Sequence, residues 1–493
     1  MRCDSARADE QRDGPSSGPD ASGSNPPRSN RPRGGPAATL AVASIATALV
    51  LVVFTVPLTT LTSASEALGA GPGEQAWILS AMSVGAASAL LGSGAIGDDY
   101  GRRRTFVAGT VVLAMASVLG ALAPSALVLI VARIVQGLGG GVILACGLGL
   151  IGQAYPGPAL GHAAGVWAAA LGAGVAVGPI LSAGLDRLGG WSLPYWLSAL
   201  AAAGLAAAAQ AFLTESQAAD RRCVDVAGTL LLGFGMAAFL AGLTESRTGW
   251  DQPSVYVLLI GAVLLLAGFV VVERRVAGPM LDLSLFGRPD FVGATLAALA
   301  SGAGVLSIMS LIPMILQRAM GVGAMTGAIV LLAWSATSAV TAFAARWIRA
   351  SPTALMIGGL VACAAGQLAV YGLSADSSVL RVVPGMLLAG AANGVLNAAL
   401  GWQAVASVPA DRSAMGSGAN NTARYLGSAT GLTICAVLVT HGGAASGIAG
   451  LLSGWNMAVL VSASFSLLGA LGVYLATARE QFREHRGPGD RAS

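Results

Sequence analysis

Between Leu40 and Leu475 the chain repeats apolar stretches of about twenty residues, the length a helix needs to cross the hydrocarbon of a bilayer. Candidate spans fall at about 38–60, 75–96, 104–122, 127–150, 161–184, 192–213, 225–244, 254–272, 290–315, 325–345, 353–373, 380–404, 421–440 and 455–477. A backbone that meets hydrocarbon this often finds no water for its amides, so it must satisfy them within helices. The expectation is an all-α integral membrane protein with about fourteen spans. Charge agrees, since 10% of the residues are charged where a soluble domain carries about 25%.

All 27 basic residues are arginine, and their placement sets the orientation. With the N-terminus on the cytoplasmic side, the cytoplasmic segments hold six in the N-terminal tail, Arg102 to Arg104, Arg221, Arg222, Arg274, Arg275, Arg288, Arg346, Arg349, Arg412, Arg424 and four from Arg479 onward. The opposite side holds Arg187, Arg247, Arg318 and Arg381. The positive-inside rule then puts both termini in the cytoplasm of a cell-membrane protein. Residues 1–36 are rich in Pro, Gly, Ser and charge, with no apolar core of signal-peptide length, and are expected to form a disordered tail.

Several classes of chemistry find no support. Cys3, Cys146, Cys223, Cys363 and Cys435 lack metal-type spacing and read as packing residues, and His162, His441 and His485 are far apart. No nucleophile–base set falls inside the spans and no G-x(4)-G-K-[ST] loop is present, which disfavours a membrane enzyme and ATP-driven transport. No cofactor, metal or nucleic acid is implied.

Three blocks carry more information. Gly94 to Arg104 reads GAIGDDYGRRR between the second and third spans. Gly94 and Gly97 allow close helix approach, Gly101 a tight turn, and Asp98 can pair with arginine or cap a neighbouring helix, with Arg102 and Arg104 supplying charge. In the fourth span, LIVARIVQGLGGG contains the remaining arginine, Arg133, with Gln136 and Gly137; Arg133 and Gly137, four apart, share a helix face. A charge there costs several kcal/mol unless it faces a cavity or a partner. In the fifth span, LGAGVAVGPILSAG places Gly172, Gly174, Gly178, Pro179 and Gly184 on a helix that proline can bend.

These blocks resemble the signatures of the major facilitator superfamily. The first is similar to the G-x-L-A-D-R-x-G-R-[KR]-R loop that latches the two halves of that fold, departing at Asp99 where a base is usual. The second resembles the R-x-x-Q-G motif. The third looks like the G-x(3)-G-P motif that marks antiporters within the family. Val224 to Gly228, Gly249-Trp250, Glu273 to Arg275, Pro279 to Phe286, and GSGANNTARYLGSATG from Gly416 to Gly431 further resemble the fourteen-helix drug:proton antiporter subfamily. The resemblance implies a tail at 1–36, a six-helix half at 37–214, two linking helices at 215–289, a second half at 290–478 and a tail at 479–493. It also implies export of drugs or a natural product by alternating access, with protons as counter-ion. An importer on the same scaffold and a non-transporting sensor are the alternatives.

One departure bears on mechanism. Relatives that exchange drugs for protons usually carry a carboxylate in the first span, but Leu40 to Thr60 has none and no acid lies deep in any candidate span. Arg133 is left to a gating or substrate-anion role, or to pairing with helix-end carbonyls. Substrate contacts would fall to residues suited to an apolar pocket, with Met82, Trp167, Trp334, Asn393 and Asn397 the leading candidates beside Met309, Met314, Gln317, Trp402 and Gln403. Asn393 and Asn397 share a helix face, where they could equally hold two helices together. The expected partners are a small lipophilic substrate, the lipid bilayer and, through the resemblance, protons.

Overall fold

The computed structural model describes residues 34–218, 225–246, 249–276, 279, 281, 283–441 and 447–485. Most of the N-terminal tail, Arg221, Arg222, Val224, Arg247, Met280, Asp282, Cys3, Cys223 and the end of the C-terminal tail lie outside the described residues.

The described chain is helical throughout: α1 (Pro36–Thr55), α2 (Pro57–Leu68), α3 (Pro72–Tyr100), α4 (Arg102–Ala121), α5 (Ala126–Ala154), α6 (Ala159–Gly189), α7 (Leu193–Phe212), α8 (Val226–Glu245), α9 (Pro253–Glu273), α10 (Pro289–Ala300), α11 (Ser307–Met320), α12 (Ala324–Ala344), α13 (Pro352–Leu368), α14 (Val383–Ala406), α15 (Ser413–His441) and α16 (Ile448–His485). Thirteen helices are long and apolar enough to cross a membrane, counting α10 and α11 as one; α13, with 17 residues, is the shorter fourteenth. At 1.5 Å per residue α13 still spans about 25 Å.

Two of the spans are not continuous α-helix. The first span is interrupted at Val56 because Pro57 opens α2 and has no N–H to offer the carbonyl four residues back. The ninth is interrupted by a π-turn over Ser301–Leu306, which widens the helix. There Ser307 Oγ donates to Gly302 O at 2.9 Å and Ser462 Oγ to Gly304 O at 2.9 Å, so the loosened carbonyls are satisfied by serines.

Helices α1–α7 pack on one another around Val50, Leu90, Leu113, Ile143 and Leu144, and α10–α16 around Ile308, Ile315, Leu360, Leu396 and Trp455. The helices approach through small residues: a side chain at Gly85 or Gly141 in the α3–α5 contact would strike the facing backbone. Helix α8 rests on α3, tied by Trp77 Nε1 donating to Glu245 Oε1 at 2.5 Å, and reaches α15 where Thr433 Oγ1 donates to Leu243 O at 3.3 Å. Helix α9 packs on α8 and leaves Val257, Val263 and Leu264 about two-thirds exposed.

Candidate functional site

The two sets of helices are joined at one end by a compact ionic cluster. Gly101, at φ +122°, turns the chain from α3 into α4, a conformation that favours glycine, and a side chain there would meet Glu215. Glu215 in turn accepts from Arg103 N at 3.0 Å and Arg104 N at 3.3 Å, placing an anion at the N-terminus of α4. Asp98, one turn earlier and fully buried, accepts from Arg102 Nε at 2.6 Å, Ala414 N at 3.1 Å and Met415 N at 2.8 Å. It therefore balances one guanidinium while capping the first turn of α15 from the other set.

Arg102 crosses the same gap in the other direction. Its Nη2 donates to Ala410 O at 3.2 Å and Asp411 O at 2.9 Å, and its Nη1 to Gln153 Oε1 at 3.3 Å. Asp99, the residue at which this turn departs from the family pattern, accepts from Arg412 Nη1 at 2.7 Å. Gly94 and Gly149 lie so close to Ala414 that any side chain would collide with it. Nearby, Ser413 Oγ donates to Gly149 O at 3.2 Å, Ser417 Oγ to Leu144 O at 3.1 Å, and Arg346 Nη1 lies 3.0 Å from His162 Nε2. Arg104, by contrast, points outward and is 3.6 Å from Glu215. The hydrogen bonds joining the two sets thus gather at this end. At the other end Leu188 and Leu380 are 82% and 74% exposed, and side chains at Gly184 and Gly323 would meet nothing.

Arg133 lies deep in the first set and is fully buried. Its Nη1 donates to Val53 O at 2.6 Å, its Nη2 to Phe54 O at 3.0 Å and its Nε to Ile78 O at 3.4 Å. Val53 is four residues before Pro57, so its carbonyl has lost its helical donor and the guanidinium replaces it. Gln136 accepts from Arg133 Nη1 at 3.3 Å and donates to Ser117 Oγ at 2.9 Å, linking α5 to α4. Gly137, on the same face as Arg133, lets Met82 and Gly85 of α3 approach. Among the roles open to Arg133 from sequence, the geometry displays pairing with helix-end carbonyls.

In α6, Gly174 and Gly178 meet Ala48, Leu51, Val52 and Thr55 of α1, whereas Gly165 and Gly172 meet Ala339 and Ala342 of α12. One helix thus packs closely against both sets, and Pro179 interrupts its hydrogen bonding at the turn where α1 breaks.

The candidate substrate residues divide. Met82 packs in the α1–α5 core, and Trp167 spends its indole N–H on Thr47 Oγ1 at 3.0 Å. Both serve packing. Asn393 Nδ2 donates to Ser338 Oγ at 3.0 Å, while Asn393 Oδ1 and Trp334 Nε1 are buried without a partner among the described residues. Asn397 accepts from Arg424 Nη1 at 3.2 Å.

Arg424 corrects the sorting of arginines by loop. It lies inside α15 and is 9% exposed, not in a cytoplasmic segment. The helix begins at Ser413, eight residues before the apolar run, because Ser417, Asn420 and Asn421 face protein where lipid would not accept them. The packed sequence GSGANN signalled this by its small residues. Glu215 and the Asp99–Arg412 pair were likewise invisible as partners, since each joins segments remote in sequence.

Comparison with known proteins follows the same outline. Residues 43–432 match the family model described as Major Facilitator Superfamily. A puromycin resistance protein of Streptomyces alboniger is 28% identical over 83% of this chain and 85% of its own. A probable actinorhodin transporter of Streptomyces coelicolor is 30% identical over 73% of this chain and 65% of its own. A multidrug efflux pump of Mycolicibacterium smegmatis is 28% identical over 74% and 73%. Among solved structures, the human organic anion transporter MFSD10 has a TM-score of 0.65 at 18% identity, covering 89% of this chain and 99% of its own. The proton:xylose symporter XylE has 0.65 at 14%, covering 89% and 95%. With its apolar spans, its latched helical sets and this match across most of its length, the chain belongs to the major facilitator superfamily.

Proposed function

We propose that the protein exports small, largely apolar compounds, drugs or a natural product, by alternating access, with protons as the counter-ion. In this reading α1–α7 and α10–α16 are the two moving halves and α8 and α9 the linking pair of the fourteen-helix subfamily. The arginine-rich, latched end faces the cytoplasm with both termini. The observation that carries the reading is the latch: Asp98, Arg102, Asp99 and Arg412 bind across the halves, and the hydrogen bonds that join the halves among the described residues gather at this one end. Such an arrangement is one of the two end states of a rocking transporter. Export over import is supported by Gly178-Pro179 at the α1 contact and by the resistance and efflux proteins among the relatives.

The test is accumulation of a fluorescent lipophilic dye in cells expressing the wild type, Arg133→Ala or Asp98→Asn, with and without a protonophore. The proposal expects low accumulation with the wild type only, reversed by the protonophore. Accumulation equal to that of cells lacking the protein would contradict export, and a deficit indifferent to the protonophore would contradict proton coupling.

A further inference from the structure

The membrane interior of this protein holds two buried guanidinium groups, Arg133 and Arg424, and no carboxylate near either among the described residues. Asp98 and Asp99 lie at the latched end, Asp225 caps the start of α8, Glu245 ends α8, and Glu273, the last residue of α9, accepts from Leu281 N. Uncompensated positive charge in a low-dielectric interior attracts anions and repels cations over several ångströms.

The two arginines are committed differently. Arg133 gives Nε, Nη1 and Nη2 to backbone carbonyls, one of them orphaned by Pro57, and so completes a helix break. Among the described residues Arg424 is held only by two side-chain amides, Asn397 Oδ1 at 3.2 Å and Asn421 Oδ1 in close contact. A guanidinium has five N–H donors, and amide side chains can rotate away. Arg424 is therefore the group that can exchange partners for a ligand.

Its position suits that exchange. Helix α15 packs against α3 and α5 of one set and α10 and α14 of the other. Nine residues on from Met415 in the latch, Arg424 lies about 14 Å inward along the helix. The next residue, Tyr425, meets Phe54 edge to face across the two sets, with centroids 6.5 Å apart. The π-turn at Gly302 packs on the backbone of Arg424, and such turns are frequent at functional sites. One turn along α14 from Asn397, Asn393 Oδ1 is buried without a partner among the described residues, and so is the indole N–H of Trp334 on the facing α12.

We propose that Arg424, held by Asn397 and Asn421 where the two sets meet, receives an anionic group of the substrate, so that the cargo is an organic acid with an apolar body. The guanidinium takes a carboxylate or ionised phenol, Phe54 and Tyr425 flank the apolar body, and Trp334 and Asn393 offer a further donor and acceptor. The inference rests on the transport reading and names its substrate class.

The test uses the full chain reconstituted in liposomes, with three xanthene dyes of similar size: one bearing a free carboxylate, its neutral methyl ester, and a cationic analogue. Export of each is followed for the wild type, Arg424→Gln, Arg424→Lys and Asn397→Ala, with monodispersity in detergent as the folding control. The expected result is preference for the carboxylate dye, a fall of at least tenfold in its export with Arg424→Gln, ester export within twofold of wild type, and partial retention with Arg424→Lys. Should Arg424→Gln fail the folding control, Arg424→Lys and Asn397→Ala carry the comparison, with a selective loss of the carboxylate dye expected. Preference for the cation, or equal loss of all dyes in variants that fold, would overturn the substrate class while leaving transport standing. Export of none by the wild type would overturn the transport reading and this inference together.

Discussion

Replacing Asp98 by asparagine keeps the shape of the latch and removes its charge. In the structure the carboxylate is fully buried and accepts three hydrogen bonds, two of them from the backbone of the other set. Hydrogen bonds to a charged group contribute about 1.5–3 kcal/mol each, roughly twice a neutral one. An asparagine keeps one acceptor but turns a donor toward the guanidinium or an amide, so the latched state should lose about 3 kcal/mol relative to the open one. That corresponds to about a hundredfold change in their ratio. A disulfide reports it directly: Gly152 of α5 lies against Val405 of α14 at the latched end. Cysteines at these two positions, with the native cysteines replaced, should cross-link rapidly in the parent and at least tenfold more slowly with Asp98→Asn. Cross-linking within twofold of the parent would refute the idea that Asp98 holds the two sets together.

Further predictions rest on single contacts. Asp99→Arg or Arg412→Asp should each slow the same cross-link, and the double exchange should restore it, because the 2.7 Å pair can form with its charges reversed. Arg133→Gln should abolish dye export by stranding Val53 O and Phe54 O, and adding Pro57→Ala should recover part of it, since the new N–H can bond Val53 O in the helical manner. Gly137→Ala should lower the apparent Tm of the purified protein by several degrees, because its methyl would collide with the Met82 carbonyl and Gly85, an overpacking worth about 1–3 kcal/mol.

How much of this was legible in the sequence depends on whether local pattern or tertiary contact decided it. The spans were legible because hydrocarbon imposes length and apolarity on each segment separately, so that even α13, short at 17 residues, was found. The turn around Gly101 was legible because a positive φ and a cluster of bases leave a local mark. The start of α15 was not. Its first turns are polar yet buried, since they face Leu90, Leu144 and Asp98 of the other set and need not be lipid-soluble. Arg424 was misplaced with them. Asp99 stood out only as a departure, and its meaning lay 313 positions away at Arg412. Met82 and Trp167 suit an apolar pocket by chemistry, and nothing local in the sequence tells that Thr47 takes the Trp167 N–H.

In the proposed cycle the two sets rock against each other, closing one end as the other opens. Distance distributions between spin labels read this motion, with one pair at Pro156 and Arg349 near the latched end and one at Leu188 and Leu380 at the other. Two populations are expected at each pair, shifting in opposite senses when Asp98→Asn is introduced: longer at the latched end, shorter at the opposite one. A single unchanged distance at both ends, or lengthening at both together, would contradict it.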